Sequence, residues 1–193
     1  MDTILSPDDV LDFWFGARRS PDYGTTRDAW FRKEPAFDSE LRMRFGAGVD
    51  AALAGAFDSW RAPRPMLARV LLLDQFTRNA YRGTPRSFAG DALALALARR
   101  AIAAGTDMQL LPVERWFLYM PCEHAETMAA QDESVALFTR LAEETGVDEP
   151  LSWAKRHADV IRRFGRFPHR NEILGRASTP EEVDFLASPG SRF

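Results

Sequence analysis

The chain has three histidines, His124, His157 and His169, and two of them stand among residues suited to handling charge. His124-Ala125-Glu126 sets an imidazole and a carboxylate two positions apart. On a helix such a pair points in different directions, so both line one pocket only if that turn faces it end-on. With His124 or His157 as base and Glu126 fixing the tautomer, these residues are candidates for general acid–base chemistry of the kind a hydrolase uses. His157 falls on the same helical side as Ile161 and Phe164, where a histidine is ordinarily a satisfied core residue. The third histidine belongs to an unusual stretch from Arg162 to Asn171, in which Arg166, His169, Arg170 and Asn171 surround Gly165 and Pro168. Glycine can end a helix and proline bars its resumption, so these side chains would project from a fixed scaffold. Guanidinium groups there suit a carboxylate or a phosphate. The bland alternative is that the arginines bond helix-terminal carbonyls and tie down the last helix.

A second polar strip is Asp74-Gln75-Phe76-Thr77-Arg78-Asn79, where i,i+4 spacing places Asp74 beside Arg78 and Gln75 beside Asn79. The expected arrangement is one cleft in which Asp74, Arg78 and Asn79 join the histidines, Glu126 and the Arg166–Asn171 segment to bind a small anion or a peptide carboxylate. A hydrolase is the alternative, and a protein–protein interaction scaffold with structural arginines is a third. No metal and no cofactor are expected, because the spacing does not match His-Glu-x-x-His, the cysteine-rich half of a deaminase motif is missing, and three scattered histidines do not define a tetrahedral site. Cys122, the single cysteine, is expected to pack rather than react.

The elements that must carry these residues are helical. Ser6-Pro7-Asp8-Asp9 starts one helix, with Ser6 as N-cap and proline at the first helical position, and Gly16 ends it. Trp30 and Phe31 resume an apolar face. Leu41, Phe45, Val49, Ala52, Leu53 and Phe57 follow at helical spacing despite Gly46 and Gly48. Pro65 opens a third helix running to Ala80. The run Ala92 to Ala98 alternates like a strand, but Ala and Leu are strong helix formers and β-branched residues are absent from it, so it is assigned to a helix. Further helices are expected from about Pro112 to Tyr119 with Pro121 as separator, through Met128 to Gly146, from Pro150 to Gly165, and from the capping box Thr179-Pro180-Glu181-Glu182. About eight helices and no convincing strand make the class all-α, in a single domain spanning 1–193.

Bulk properties exclude several function classes. The net charge of −3 gives no general pull towards nucleic acid or anionic lipid, and no nucleic-acid or membrane partner is expected. Of 25 basic residues, 23 are arginines, so local arginine density partly reflects the whole chain. No apolar run approaches ~20 residues. The start Met1-Asp2-Thr3-Ile4 is acidic where a signal peptide is basic, and a lone cysteine suits a reducing compartment, so the expected location is the cytoplasm. Oligomeric state leaves no trace in the sequence.

Four pieces together resemble a bacterial family known as domain of unknown function 924: Val10-Leu11-Asp12-Phe13-Trp14-Phe15; Leu73 to Asn79 with Tyr81-Arg82-Gly83; Tyr119-Met120-Pro121 with His124 and Glu126; and Arg163 to Asn171 running into Leu174-Gly175-Arg176. The resemblance implies stacked antiparallel helical hairpins in a tetratricopeptide-like superhelix or bundle, with the polar motifs on its own elements. It implies no reaction. The family pattern more often reads His-Ser-Glu where this chain has His124-Ala125-Glu126, and carries a bulky apolar residue at Cys122.

Overall fold

The computed structural model describes residues 5–30 and 32–191. The acidic start of the chain, Met1 to Ile4, and Phe31, expected beside Trp30 on an apolar face, lie outside the described residues. Among those described, every regular element is a helix or helical turn, so the class is all-α.

The chain forms two compact units, Met1–Arg82 with Arg86–Pro121, and Gly83–Pro85 with Cys122–Phe193. In the first, α1 (Pro7–Phe15) begins with the Ser6/Asp9 capping box and stops at Gly16, whose φ of 88° favours glycine. α2 (Pro35–Leu53) continues through Gly46 and Gly48 but ends before Phe57, which the spacing placed on it and whose φ of 66° is not helical. Gly48 lets the Leu5 side chain lie against the helix where a Cβ would collide with it. α3 (Pro63–Leu71) opens at Pro63 rather than Pro65. It leads into a π-helical turn, Leu72–Phe76, and then α4 (Thr77–Ala80). The π turn widens the helix where Asp74 and Gln75 sit, a distortion that is frequent at functional sites. The run with alternating leucines is α5 (Asp91–Ala103). Its N-cap, Gly90, packs directly on the Leu73 carbonyl, which a Cβ there would strike.

The core of this unit is aromatic: Trp14, Phe15, Phe76 and Phe117 are at most 1% exposed. Trp14 meets Phe117 edge-on at 5.4 Å and Trp30 meets Phe117 at 4.7 Å. Such pairs add ~0.5–1.5 kcal/mol beyond the area they bury.

α6 (Pro112–His124) differs from the expectation, because Pro121 lies inside it instead of ending it. Proline removes one helical donor, and the surrounding packing tolerates that loss. The last residues of α6 belong to the second unit, with α7 (Met128–Thr145), α8 (Glu149–Phe164) and α9 (Pro180–Leu186). Gly146, at φ 72°, turns α7 into α8, and the two helices pack as a hairpin. Val160, Ile161 and Phe167 form a small core with Met128, Phe164 and Phe185.

Candidate functional site

The second unit gathers all three histidines of the chain. Their placement begins at the end of α6, where the terminal carbonyls need donors. Gln131 on α7 donates its amide N–H groups to the carbonyls of Glu123 and Ala125 at 2.7 and 2.8 Å. Arg170 donates to the intervening carbonyl of His124 at 3.0 Å. Three successive peptide groups are thereby fixed, and with them the exit directions of the Glu123 and His124 side chains. α8 supplies His157, which is 6% exposed, and its Nδ1 lies 2.9 Å from the Trp153 carbonyl oxygen and 3.1 Å from Glu123 Oε1.

α8 ends at Gly165 in the left-handed conformation, and Pro168 opens a 3-10 turn, Pro168–Arg170. This turn presents His169 and Arg170. Its preceding residue, Phe167, is fully buried and serves as the hub of the cluster. The His157 ring meets Phe167 edge-on at 5.5 Å, His169 lies 5.7 Å from it, and the Arg170 guanidinium sits 4.6 Å over its face. His124 and His157 are 6.3 Å apart, centre to centre.

Burial pushes His157 down from its ordinary 6.5 to about 3, and His124, Arg170 and His169 add to that repulsion while the Trp153 carbonyl opposes it. The Glu123 carboxylate is within ion-pair distance of the ring, while burial works against a charge on the imidazole.

The remaining residues expected at the site hold the segment in place. The Glu126 carboxylate accepts from the Phe167 N–H at 2.7 Å and from Arg176 at 2.7 and 2.9 Å. Burial raises the Glu126 pKa, but the hydrogen bonds from Arg176 and Phe167 outweigh it and leave it lowered. Arg166 is engaged with Glu182 on α9 at 2.6 and 2.7 Å. That contact is the main cause that draws the Glu182 pKa down to about 2. Asn171 bridges Ser178 and Glu182 and accepts from Arg176. Arg166 and Asn171 therefore clamp α9, and Arg170 bonds a terminal carbonyl of α6, both as the alternative view of the arginine stretch holds; His169 and Arg170 also stand with His124 and His157.

Asp74, Arg78 and Asn79 belong to the first unit. Arg78 is paired with Asp74 at 2.9 Å and, through both terminal nitrogens, with Asp91 on α5 at 2.8 and 3.1 Å. Burial works against the charge on Arg78, but Asp74 and Asp91 outweigh it and raise its pKa. Gln75 donates to Asp74 at 2.7 Å, and Asn79 donates to the Gln75 carbonyl at 3.1 Å. The strip is a hydrogen-bonded network on a π turn, with Asp74 wholly buried.

Sequence reasoning missed Glu123, Asp91, and a half-buried triad in which Tyr23 and Arg64 share Glu114 Oε1. Glu123 adjoins His124 in sequence and was open to notice. Asp91 and the triad are brought in by folding from 13 to 91 positions away. An open depression of about 460 Å³ in the first unit, with Asp12, Phe13, Phe37 and Arg44 on its walls, holds none of the expected residues. Its walls carry three acids, Asp9, Asp12 and Glu40, against Arg27 and Arg44, which does not suit an anion, and the histidine cluster is the better candidate. No group of histidine, cysteine and carboxylate side chains among the described residues has the geometry to hold a metal ion.

A family described as bacterial protein of unknown function, DUF924, matches residues 10–190. The chain is also similar to a solved protein of unknown function from Agrobacterium tumefaciens, at 40% identity and a TM-score of 0.83, covering 94% of this chain and 96% of that one. No curated protein sequence matches.

Proposed function

The chain belongs to DUF924, a bacterial family of unknown function, so its role rests on the chemistry of its site, and we propose that the second unit binds a small anion, a carboxylate or a phosphate, on its histidine cluster. One observation carries this reading: His157, His169 and Arg170 gather around Phe167 at centre distances of 4.6 to 5.7 Å, and His124 lies 6.3 Å from His157. Arg170 keeps its charge at any ordinary pH, and a fixed cation in the cluster favours an anion. Arg170 is fixed from below by its bond to the His124 carbonyl, so its charge is oriented before any ligand arrives. Arg166, held by Glu182, serves the scaffold.

Isothermal titration calorimetry with phosphate, acetate and citrate tests the reading. The expected result is saturable one-to-one binding of at least one of them, weakened about tenfold or more, ~1.4 kcal/mol, by His169→Ala or His124→Ala. Absence of saturable heat with all three, or unchanged affinity in both variants, refutes it.

The hydrolase reading retains one specific observation, the 3.1 Å contact between Glu123 and His157. A carboxylate at Nδ1 orients an imidazole for base catalysis. The low pKa of His157 makes it a weak base, which ranks this reading second. Turnover of generic ester or phosphate-ester substrates, lost in His157→Asn, would promote it. Placement in the cytoplasm is part of the proposal, supported by the lone buried cysteine. No helix among the described residues is long and apolar enough to cross a membrane.

A further inference from the structure

The open depression of the first unit is walled by three segments of chain. α1 contributes Asp9, Asp12 and Phe13, α2 contributes Phe37, Glu40 and Arg44, and the segment between them contributes Arg27. Asp9 and Asp12 are three apart on α1, so their carboxylates share one side of that helix. Arg27 is anchored at the end of the same helix, where the last carbonyls lack helical donors. Its Nη1 donates to the carbonyls of Phe13 and Trp14 at 2.9 and 2.8 Å. The rings of Phe13 and Phe37 stack at 5.3 Å with 23° between their planes, and both are only half-buried.

Some charges on these walls are already matched and others are not. Arg44 is paired with Glu40 at 2.9 Å and lies over the Phe13 ring at 4.8 Å. Asp9 Oδ2 accepts both the N–H and the hydroxyl of Ser6 in the capping box. Asp12 is exposed, and its carboxylate has no hydrogen-bond or ion-pair partner among the described residues. Arg27 has no carboxylate partner among them, and with Nη1 given to the two carbonyls its Nε and Nη2 hydrogens remain. The depression thus keeps an acid and a cation, Asp12 and Arg27, that do not neutralise one another.

We propose that this depression binds a free α-amino acid with an apolar or aromatic side chain. The ligand's ammonium meets Asp12, with Asp9 adding negative potential beside it, its carboxylate takes the Nε and Nη2 hydrogens of Arg27, and its side chain lies against Phe13 and Phe37. A zwitterion matches both unpaired poles at once. A simple anion meets Asp9 and Asp12 with like charge, and a simple cation meets Arg27 in the same way. The volume of about 460 Å³ lies towards the small end of the ~300–1,000 Å³ usual for small-molecule sites, which suits a ligand of this size. Because the depression is open, a dissociation constant of about 0.1–1 mM is expected. This site is separate from the anion reading, which concerns the second unit.

Calorimetric titration of the full chain with L-phenylalanine, 3-phenylpropionate and phenethylamine tests the proposal, since the last two keep the ring and each lacks one charge. Phenylalanine should bind saturably, one to one, and each analogue about fivefold or more weakly. Asp12→Asn alters an exposed side chain without partners, so the variant should fold as the wild type does. It should weaken phenylalanine by about fivefold and leave 3-phenylpropionate unchanged or tighter. All three histidines lie in the second unit, so their NMR signals should stay in place as phenylalanine saturates its site.

Absence of saturable phenylalanine binding overturns the proposal. So does an analogue that binds as tightly as phenylalanine, which makes the site one for a single charge, or an unchanged affinity in Asp12→Asn. Histidine signals that move along the phenylalanine binding curve also overturn it, because they place the amino acid at the histidine cluster. None of these results bears on phosphate binding at that cluster.

Discussion

Replacing Glu126 with alanine should cost the protein about 3 kcal/mol, and the sum can be built from its partners. The carboxylate accepts the N–H of Phe167, a residue with no exposed surface. Removing that acceptor strands a buried donor, at ~1–3 kcal/mol. It also breaks a two-toothed ion pair with Arg176 in which the side chains are 24% and 25% exposed, so solvent screening limits its share to ~1 kcal/mol. For a chain of this length ~1 kcal/mol shifts the melting temperature by ~2–4 °C, so a drop of roughly 6–12 °C is expected. Urea denaturation followed by circular dichroism measures the free energy directly. Glu126→Gln keeps an oxygen for Phe167 and should lose about half as much. A loss below about 0.5 kcal/mol in Glu126→Ala would refute the claim that this carboxylate anchors the Phe167 hub.

Gly90→Ala should destabilise by about 2 kcal/mol or more, because a Cβ there meets the Leu73 carbonyl, and an equilibrium denaturation curve unchanged from wild type would contradict that packing. Arg78→Met removes the cation shared by Asp74 and Asp91 and should cost ~3–5 kcal/mol, most of it recovered in a double variant with Asp74→Asn, as a double-mutant cycle would measure. Glu126 and Glu182 have folded pKa values below the ordinary 4.5, Glu182 at about 2. Groups lowered in this way contribute stability above the unfolded value and lose it as pH falls through the folded one. The urea midpoint should thus decline from pH 4.5 towards 2, and Glu182→Gln should flatten part of that decline.

The helix boundaries legible in the sequence were those with a local chemical cause. Ser6 and Thr179 form capping boxes, and Gly16, Gly146 and Gly165 stop helices by their positive φ. The alternating leucines of Ala92–Ala98 are helical, as residue propensity required against their period. The continuation of α6 through Pro121 was hidden, because tolerance of a proline is settled by packing that no local pattern encodes. The π turn was hidden for a similar reason, since Leu72–Phe76 reads as ordinary helix. At the site, the clustering of histidines with Arg170 could be suspected from residue types, and Gly165 with Pro168 does fix that turn. Which arginine serves which role was not legible. Arg166 and Arg170 are four apart in one stretch, yet one holds α9 and the other caps α6, a division made by residues far along the chain.

Because the chain has only three histidines and all three lie in the cluster, histidine-selective carbon NMR observes the proposed site and nothing else. Titrating phosphate into the labelled full-length protein should move the His124, His157 and His169 signals along saturable curves with one shared dissociation constant. Signals that stay in place, or that drift without saturating while the rest of the protein behaves normally, would contradict an anion site at this cluster.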